Sequence, residues 1–214
     1  MNATEQGLLT QVIEALLAQS GWEWLAAALG IAYVILAAKE SIWCWPAAFI
    51  STLIYTVLFW DGQLPMQALL NAYYLLMAVY GFSVWKKREK VDDNVRIHRK
   101  PLSFHLIYIL SGLTLTVLIG YFLATSPDNR LPYLDAFVTV FSVMTTVLMA
   151  RKVLENWLYW LVINSFAIAL YWQTGFYVTI IMFMVYWVLA VYGFKNWIAL
   201  SQAQQNPSQN SSTL

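Results

Sequence analysis

The sequence Val-Tyr-Gly-Phe-Ser-Val-Trp occupies Val79–Trp85, and Val-Tyr-Gly-Phe-Lys-Asn-Trp occupies Val191–Trp197. Sliding the chain along itself by this offset, about 112 residues, aligns the regions around both stretches without a gap. The same offset pairs other aromatic, polar and charged residues: Trp45 with Trp157, Thr52 with Asn164, Trp60 with Trp172, Tyr74 with Tyr186, Lys39 with Arg151, and Glu23 with Asp135. The pattern indicates an internal duplication.

The composition is typical of a membrane protein. Of the 214 residues, 60% are hydrophobic, 16% are aromatic and only 11% are charged, and the mean hydropathy is +0.59. Soluble domains contain about 25% charged residues, so this chain has too few charges to cover a globular surface. Its 12 Lys and Arg residues nearly balance its 11 Asp and Glu residues, so no nucleic-acid partner is expected.

Seven apolar stretches are long enough to cross a bilayer, for which a helix needs about 17–25 residues. They run from Trp22 to Ala38, Ile42 to Trp60, Leu64 to Trp85, Leu102 to Ala124, Tyr133 to Ala150, Val153 to Trp172, and Phe176 to Leu200. They do not alternate as barrel strands do, and most connections between them are very short. All seven are therefore interpreted as helices.

The duplication relates the first three predicted spans to the last three, and the fourth span matches neither copy. Because a three-span unit ends on the opposite side from where it begins, the extra span returns the chain and makes the two copies parallel. The predicted fold class is an all-α integral membrane protein with seven transmembrane helices arranged 3+1+3. The predicted domains are an N-terminal interfacial segment (1–21), repeat 1 (22–85), a basic cytoplasmic loop (86–100), a linker helix with an outer loop (101–132), repeat 2 (133–200) and a disordered C-terminal tail (201–214).

Two terminal segments lie outside the predicted spans. The segment before Trp22 lacks the basic start and the cleavage site of a secretory signal, and its apolar residues share one helical face. It is therefore expected to lie along the membrane interface. The tail after Ser201 is rich in Gln, Asn and Ser, which predicts disorder.

The positions of Lys and Arg predict the orientation in the membrane. The loop after the third span is placed in the cytoplasm because it contains Lys86, Lys87, Arg88, Lys90, Arg96, Arg99 and Lys100. Successive connections between spans then alternate between the two sides of the membrane. This places four further basic residues inside, Lys39, Arg151, Lys152 and Lys195, and leaves only Arg130 outside. The N-terminus is expected outside and the C-terminus in the cytoplasm.

Polar side chains within the spans indicate a binding site. No ionisable residue lies at the centre of a predicted span, where its insertion would cost about 2.5–3.5 kcal/mol, so an uncharged cage is expected rather than a proton relay or a metal site. Amides and rings share one helical face in the third span and one in the sixth. The candidate substrate-binding residues are Trp45, Thr52, Gln67, Asn71, Tyr74, Trp157, Trp160, Asn164 and Tyr186.

Such a cage suits one class of ligand. Amides and hydroxyls hydrogen-bond polar heterocycles and sugars, while Trp and Tyr rings stack on an aromatic ring and attract a cationic one. A planar water-soluble heterocycle therefore fits better than a metal ion, a lipid or an amino acid. Two structural alternatives stay open at this point. The amides could instead join helices, and the pair Glu23 and Asp135 could either attract a cation or simply form solvated helix ends.

Other functional classes have little support. A retinal photoreceptor needs a lysine in the middle of its seventh span, but Lys195 lies near the cytoplasmic end. An enzyme is not expected, because the chain has no HExxH motif, no paired intramembrane carboxylates and no Ser–His dyad. His98 and His105 are interpreted as solvated loop residues. The single cysteine, Cys44, cannot form an intramolecular disulfide, and no metal or cofactor is expected.

Three kinds of stretch resemble the Pnu family of bacterial B-vitamin transporters. They are Ile-Trp-Cys-Trp-Pro-Ala from Ile42, the two Val-Tyr-Gly-Phe-x-x-Trp stretches, and Arg-Lys-x-x-Glu-Asn-Trp-x-x-Trp-x-x-x-Asn from Arg151 to Asn164. The resemblance extends from Trp22 to Trp197. It implies the 3+1+3 fold of full-length SWEET-like transporters, and uptake of a B-type vitamin across the bacterial inner membrane.

The resemblance also implies a mechanism and a set of substrates. The mechanism is facilitated diffusion, with a cytoplasmic kinase that phosphorylates and traps the vitamin. Members that carry nicotinamide riboside typically have Gln where Asn71 stands and Asn where Ala78 stands, so this chain has fewer partners for ribose hydroxyls. Thiamine is therefore slightly favoured, with nicotinamide riboside as the alternative and riboflavin also open. Membrane lipid is a further expected partner, and an oligomer is left open.

Overall fold

The computed structural model describes residues 10, 12–14, 16–62, 65–90, 97–125, 131–174 and 177–205. Most of the predicted interfacial segment lies outside these residues. Within them the chain forms seven long helices: α1 Gly21–Ala38, α2 Cys44–Asp61, α3 Pro65–Lys90, α4 Leu102–Leu123, α5 Pro132–Ala150, α6 Asn156–Thr174 and α7 Tyr177–Gln205. Each of them overlaps one predicted span.

Six of these helices are long and apolar enough to cross a membrane, counted over the described residues. The exception is α6, which has 19 residues but contains amide side chains, among them Asn156, Asn164 and Gln173, that lower its hydropathy. The protein is therefore an all-α multi-pass membrane protein. The sequence predicts seven spans, and six of the seven helices have the length and hydropathy of a span.

Two helices continue beyond their predicted ends. Residues 201–205, predicted as part of a disordered tail, form the last turn of α7 instead, because Gln204 has hydrogen-bond partners on two other segments. Residues 206–214 lie outside the described part of the chain. Likewise α3 continues past Trp85 to Lys90, because Lys, Arg and Glu are good helix formers once the chain has left the apolar layer.

The helices α1 and α5 end in the same way. In both, the residue after the C-cap adopts left-handed backbone angles, with φ of 58° at Glu40 and 56° at Lys152. The next N–H then donates to a carbonyl near the end of the helix: Ser41 to Leu36 at 2.9 Å, and Val153 to Leu148 at 3.0 Å. This is the Schellman motif, and it occurs at equivalent positions of the two repeats.

The packing of the helices repeats as the sequence does. In repeat 1, α2 packs against α1 and α3, and in repeat 2, α6 packs against α5 and α7. The repeats contact each other through two interfaces, α1 with α7 and α3 with α5. The repeat offset relates α1 to α5 and α3 to α7, so the two interfaces are equivalent. This reciprocity agrees with a two-fold axis that relates the copies. The linker helix α4 packs on α5.

Tryptophan pairs form the core at one end of both repeats. Trp45 meets Trp85 edge to face with ring centroids 5.5 Å apart, and Trp157 meets Trp197 at the same distance. Trp85 and Trp197 also form hydrogen bonds with the other repeat. The Trp85 indole N–H donates to the Ala150 carbonyl at 3.0 Å, and the Trp197 indole N–H donates to the Ala37 carbonyl at 2.9 Å. These tryptophans therefore join the two bundles.

The glycines of the duplicated Val-Tyr-Gly-Phe sequence make room for this core. A Cβ atom on Gly81 would lie 2.3 Å from the ring of Trp45, and one on Gly193 would lie 2.6 Å from the ring of Trp157. Any larger residue would push the ring or the helix away. The duplicated sequence is thus explained by close packing of a tryptophan against a helix backbone.

Candidate substrate site

Two equivalent tyrosines reach across the interfaces between the repeats. Tyr74 on α3 lies beside Ser142 on α5. The Tyr186 hydroxyl oxygen on α7 lies 2.9 Å from the place that a Cβ on Gly30 of α1 would occupy. Tyr33 on α1 is near both tyrosines. The structure therefore brings two predicted site residues, Tyr74 and Tyr186, to the region where the bundles meet.

Asn164 on α6 is a buried amide. Its residue is 3% exposed, none of the hydrogen bonds among the described residues involves its side chain, and its amide atoms are not among the fully enclosed polar atoms that lack a partner. Buried polar side chains in folded proteins nearly always have a partner, and the exceptions call for a ligand, an ion or water. Asn164 is therefore the predicted site residue with the clearest capacity to bind a polar ligand group.

Thr52, the equivalent of Asn164 in repeat 1, differs from it. The Thr52 hydroxyl donates to the Ala48 carbonyl of its own helix at 2.8 Å. The Phe49 carbonyl oxygen lies 3.2 Å from the same hydroxyl oxygen. Because this hydroxyl already has an acceptor, Thr52 offers a ligand less than Asn164 does.

The polar face predicted on the third span is only partly kept. Asn71 is half-buried, and its side-chain nitrogen donates to the backbone carbonyl of Gln67 at 2.9 Å. The Gln67 side chain is exposed. Of these two amides, Asn71 is the less exposed.

The predicted tryptophans form walls rather than an open surface. Trp45 and Trp157 are each 1% exposed, and their indole N–H groups have no partner among the described residues. Trp160, one turn after Trp157, is half-buried and packs against both apolar cores. Trp45 and Trp157 are thus covered by the core in this structure, and their indole N–H groups are two unused donors at equivalent positions of the two repeats.

Two residues near the site were missed by sequence reasoning. Tyr33 and Ser142 lie on the first helix of repeat 1 and of repeat 2, respectively, and both are beside a predicted site tyrosine. The offset pairs them with Thr145 and Gly30, so neither is matched in the other repeat. The available signal was a hydroxyl within an otherwise apolar span.

The interpretation of His105 as a solvated loop residue is wrong. His105 lies in α4, which begins at Leu102, and its Nδ1 is 2.8 Å from the Tyr159 hydroxyl on α6. Its Nε2 is 3.9 Å from a carboxylate oxygen of Glu155. Within the described ranges, no group of three or more His, Cys, Asp or Glu residues is placed to hold a metal ion.

Glu23 has a structural role at the start of α1. Its backbone N–H donates to the Ser20 hydroxyl at 3.3 Å, and its carboxylate accepts from the Ser20 N–H. This reciprocal arrangement is a capping box, which satisfies two free donors at a helix N-terminus. Of the two interpretations given above for this residue, the structure favours the helix end.

The comparison with known families agrees with this architecture. The family described as "Nicotinamide mononucleotide transporter" matches residues 20–199. The chain belongs to this family. The resemblance to Pnu transporters is thereby confirmed, and so is the prediction that the protein is not an enzyme, because the family is one of transporters.

Curated relatives cover most of the chain. It is 24% identical over 182 residues to the riboflavin/roseoflavin transporter RibM of Streptomyces davaonensis, covering 84% of this chain and 85% of RibM. It is 24% identical over 195 residues to the nicotinamide riboside transporter PnuC of Escherichia coli, covering 79% of this chain and 81% of PnuC.

A solved structure has the same fold. The crystal structure of the vitamin B3 transporter PnuC superimposes with a TM-score of 0.70 at 24% sequence identity, covering 94% of this chain and 93% of that one. The chain is thus a multi-pass membrane transporter with a PnuC-like fold.

Proposed function

We propose that the protein takes up a B-type vitamin in which a flat heteroaromatic ring carries a hydroxylated five-carbon group, either a ribose or a ribityl chain, with nicotinamide riboside as the first candidate. The proposal rests above all on Asn164, a buried amide without a protein partner, on the same helix as Trp157 and Trp160. An amide beside two indole rings suits a ligand with a ring to stack and hydroxyl or amide groups to hydrogen-bond.

The relatives support the same class of ligand. Riboflavin, named for RibM, carries a ribityl chain on a flat ring, and nicotinamide riboside, named for PnuC, carries a ribose on a pyridinium ring. The pyridinium is cationic, and a desolvated cation over an aromatic face gains up to about 2 kcal/mol. Aromatic walls without mid-span charges fit the smaller, cationic ligand.

Thiamine has less support than the sequence suggested. That expectation depended partly on Ala78, where an amide was missing. In the structure Ala78 is 2% exposed and packs in the tryptophan core. An amide absent from that position says little about the ligand, and neither RibM nor PnuC is named for thiamine. Thiamine therefore serves as the competitor in the test below.

The proposed mechanism is facilitated diffusion between the two repeats. No Asp, Glu, His, Lys or Arg residue lies at the middle of a described span, so no charged group there would couple the vitamin to a proton. A cytoplasmic kinase that phosphorylates the vitamin would then trap it. The charge bias supports an N-terminus outside and a C-terminus in the cytoplasm of a bacterial inner membrane.

Uptake into proteoliposomes tests this function directly. The purified protein is reconstituted, and entry of radiolabelled nicotinamide riboside is followed with and without a pH gradient. We expect saturable entry that stops at equilibrium, that a protonophore does not change, and that unlabelled nicotinamide riboside abolishes. Unlabelled riboflavin and thiamine, each added in excess, rank the substrates. Protein-free liposomes and the Asn164→Ala variant are the controls.

The possible results separate the parts of the proposal. Stronger competition by thiamine than by nicotinamide riboside would overturn the proposed substrate class. Entry that requires a pH gradient would overturn the uncoupled mechanism. Absence of nicotinamide riboside entry, with protein that remains monodisperse, would contradict transport of the proposed first candidate.

A further inference from the structure

Glu40 and Lys152 occupy equivalent positions of the two repeats and bind each other. The Lys152 Nζ atom lies 2.6 Å from Oε1 of Glu40, and the side chains are 10% and 15% exposed, respectively. The repeat offset carries Glu40 onto Lys152, so a two-fold relation brings the two turns face to face. Opposite charges at one repeated position thus make a direct bond between the bundles.

The backbone at both residues is suited to glycine rather than to a large side chain. Each residue follows a helix C-terminus with left-handed angles, φ 58° for Glu40 and 56° for Lys152. Glycine is the usual residue there, because a Cβ atom makes this conformation unfavourable. Two charged residues at two such places indicate that their side chains have a function that glycine lacks.

Further contacts link this ion pair to other segments of the chain. The Lys152 ammonium lies 4.5 Å from the centre of the Trp85 ring. Gln204, near the end of α7, donates from Nε2 to Oε2 of Glu40 at 3.2 Å and accepts the Ile97 N–H at 3.1 Å. The His98 N–H donates to the Lys152 carbonyl at 3.2 Å. The pair therefore joins both repeats to the chain segment before α4.

We propose that the Glu40–Lys152 pair is the cytoplasmic gate of the transport path, closed in this structure and broken each time the path opens inward. The inference rests on the proposed function, which requires a path between the repeats, and on the predicted orientation. Because each partner belongs to a different repeat, any rotation that separates the bundles at this end must separate the two charges. Glu40 and Lys152 act on transport through the helices, since their described side-chain contacts are with each other, with Gln204 and with the Trp85 ring.

A pair that only stabilises the fold would behave differently from a gate. Breaking a stabilising pair lowers the unfolding temperature without changing access to the interior of the folded protein. Breaking a gate increases access from one side only. The measurement must therefore report access, with stability followed separately.

Cys44 is a built-in reporter of this access. It is the only cysteine of the chain, it is 0% exposed, and it lies near the Lys152 charge. A membrane-impermeant maleimide can reach this thiol only when the end of the path guarded by the ion pair opens. Inside-out and right-side-out membrane vesicles of cells that make the full chain present opposite faces to the reagent.

Glu40→Gln removes the charge with little change of shape, and Glu40→Gly removes the whole side chain while favouring the left-handed turn. The second variant keeps the test valid should the first fold poorly. The exchange Glu40→Lys with Lys152→Glu reverses the pair and restores the attraction. Lys39→Gln, one residue away on the exposed side of the same turn, is the matched control.

We expect Cys44 in inside-out vesicles to react about tenfold faster in both Glu40 variants. A change of this size is within the range of interaction energies between residues of one ion-pair network. In right-side-out vesicles the rate should not change, and the exchanged pair and Lys39→Gln should react like the wild type. Unchanged reactivity in both Glu40 variants overturns the gate, and so does faster reaction only in right-side-out vesicles. An exchanged pair that reacts as fast as Glu40→Gln also overturns it. Since no vitamin is needed, failure here is distinct from failure of the uptake test.

Discussion

The two repeats are alike where they pack and different where they would bind. Trp85 and Trp197 make the same ring contacts, and both donate to a carbonyl of the opposite repeat. At the next pair of positions towards the site, Thr52 bonds to its own helix, whereas Asn164 is buried without a partner. The difference teaches that duplication supplied a symmetric scaffold, while the ligand, which is not symmetric, is recognised by positions that no longer match.

The repeats also differ in their surroundings. In repeat 2, α4 packs on α5 and helps to form a second apolar core that includes Tyr108, Phe141 and Ile163. Accordingly, 44% of the residues in the membrane-spanning part of α5 are buried, against 22% for α1. The first helix of repeat 2 is thus more enclosed than its equivalent in repeat 1, because α4 covers it.

The largest expected effect tests the symmetry of the scaffold. Trp85→Ala and Trp197→Ala each remove a ring pair and a bond between the repeats, and large-to-small changes of this kind cost about 3–5 kcal/mol. We expect both variants to lower the Tm in detergent by similar amounts, measured by a thermal-shift assay. The exposed Trp60→Ala is the control, with little change expected. A loss confined to one of the two core variants would contradict an equivalent role of the pairs.

A smaller effect is expected from the glycines beneath these rings. In Gly81→Ala and Gly193→Ala the new methyl group would lie 2.3 Å and 2.6 Å from a tryptophan ring, so something must move. Overpacking of this kind costs about 1–3 kcal/mol. The Tm of both variants should fall, and Gly21→Ala, where a Cβ meets nothing within 4 Å, should leave it unchanged. Equal Tm values for all three would refute the packing explanation of the duplicated sequence.

The smallest effect concerns the contact that repeat 1 lacks. The Tyr108 hydroxyl lies 2.9 Å from the Thr145 hydroxyl, and its loss in Tyr108→Phe should cost about 0.5–1.5 kcal/mol. Native-state hydrogen exchange should show faster opening in α4 and α5, with α1 and α2 unaffected. Tyr121→Phe, at a tyrosine that is 66% exposed, is the control. Faster exchange in both repeats would mean that α4 supports the whole protein rather than repeat 2.

Much of the fold could be predicted because it depends on patterns within the chain. Apolar length gave the helices to within a few residues, and the offset between Gly81 and Gly193 related the repeats. The turns at Glu40 and Lys152 could not be predicted, because left-handed backbone is usual for glycine and neither residue is one. The extension of α7 to Gln205 was missed because it depends on contacts with distant residues.

The site was less predictable than the fold. The sequence can show that Thr52 and Asn164 are polar, but hydrogen bonding to a carbonyl of the same helix uses Thr52 and leaves Asn164 free. The resemblance makes position 78 relevant to the ligand, yet Ala78 lies in the core. The basic loop next to it predicts a loop position for His105, whereas this residue lies in α4 and its partner Tyr159 lies on α6. Each of these differences comes from contacts between distant segments.

The central claim is that an asymmetric site lies in a symmetric scaffold. Its most direct test compares two variants, Asn164→Ala and Thr52→Val, by measuring their affinities for nicotinamide riboside with isothermal titration. Loss of an amide bond to the ligand should weaken binding by about 10–100-fold in Asn164→Ala, with no loss of Tm, because this amide has no described protein partner. Binding by Thr52→Val should stay within about twofold of the wild type. Equal weakening in both variants, or full affinity in Asn164→Ala, would contradict the account.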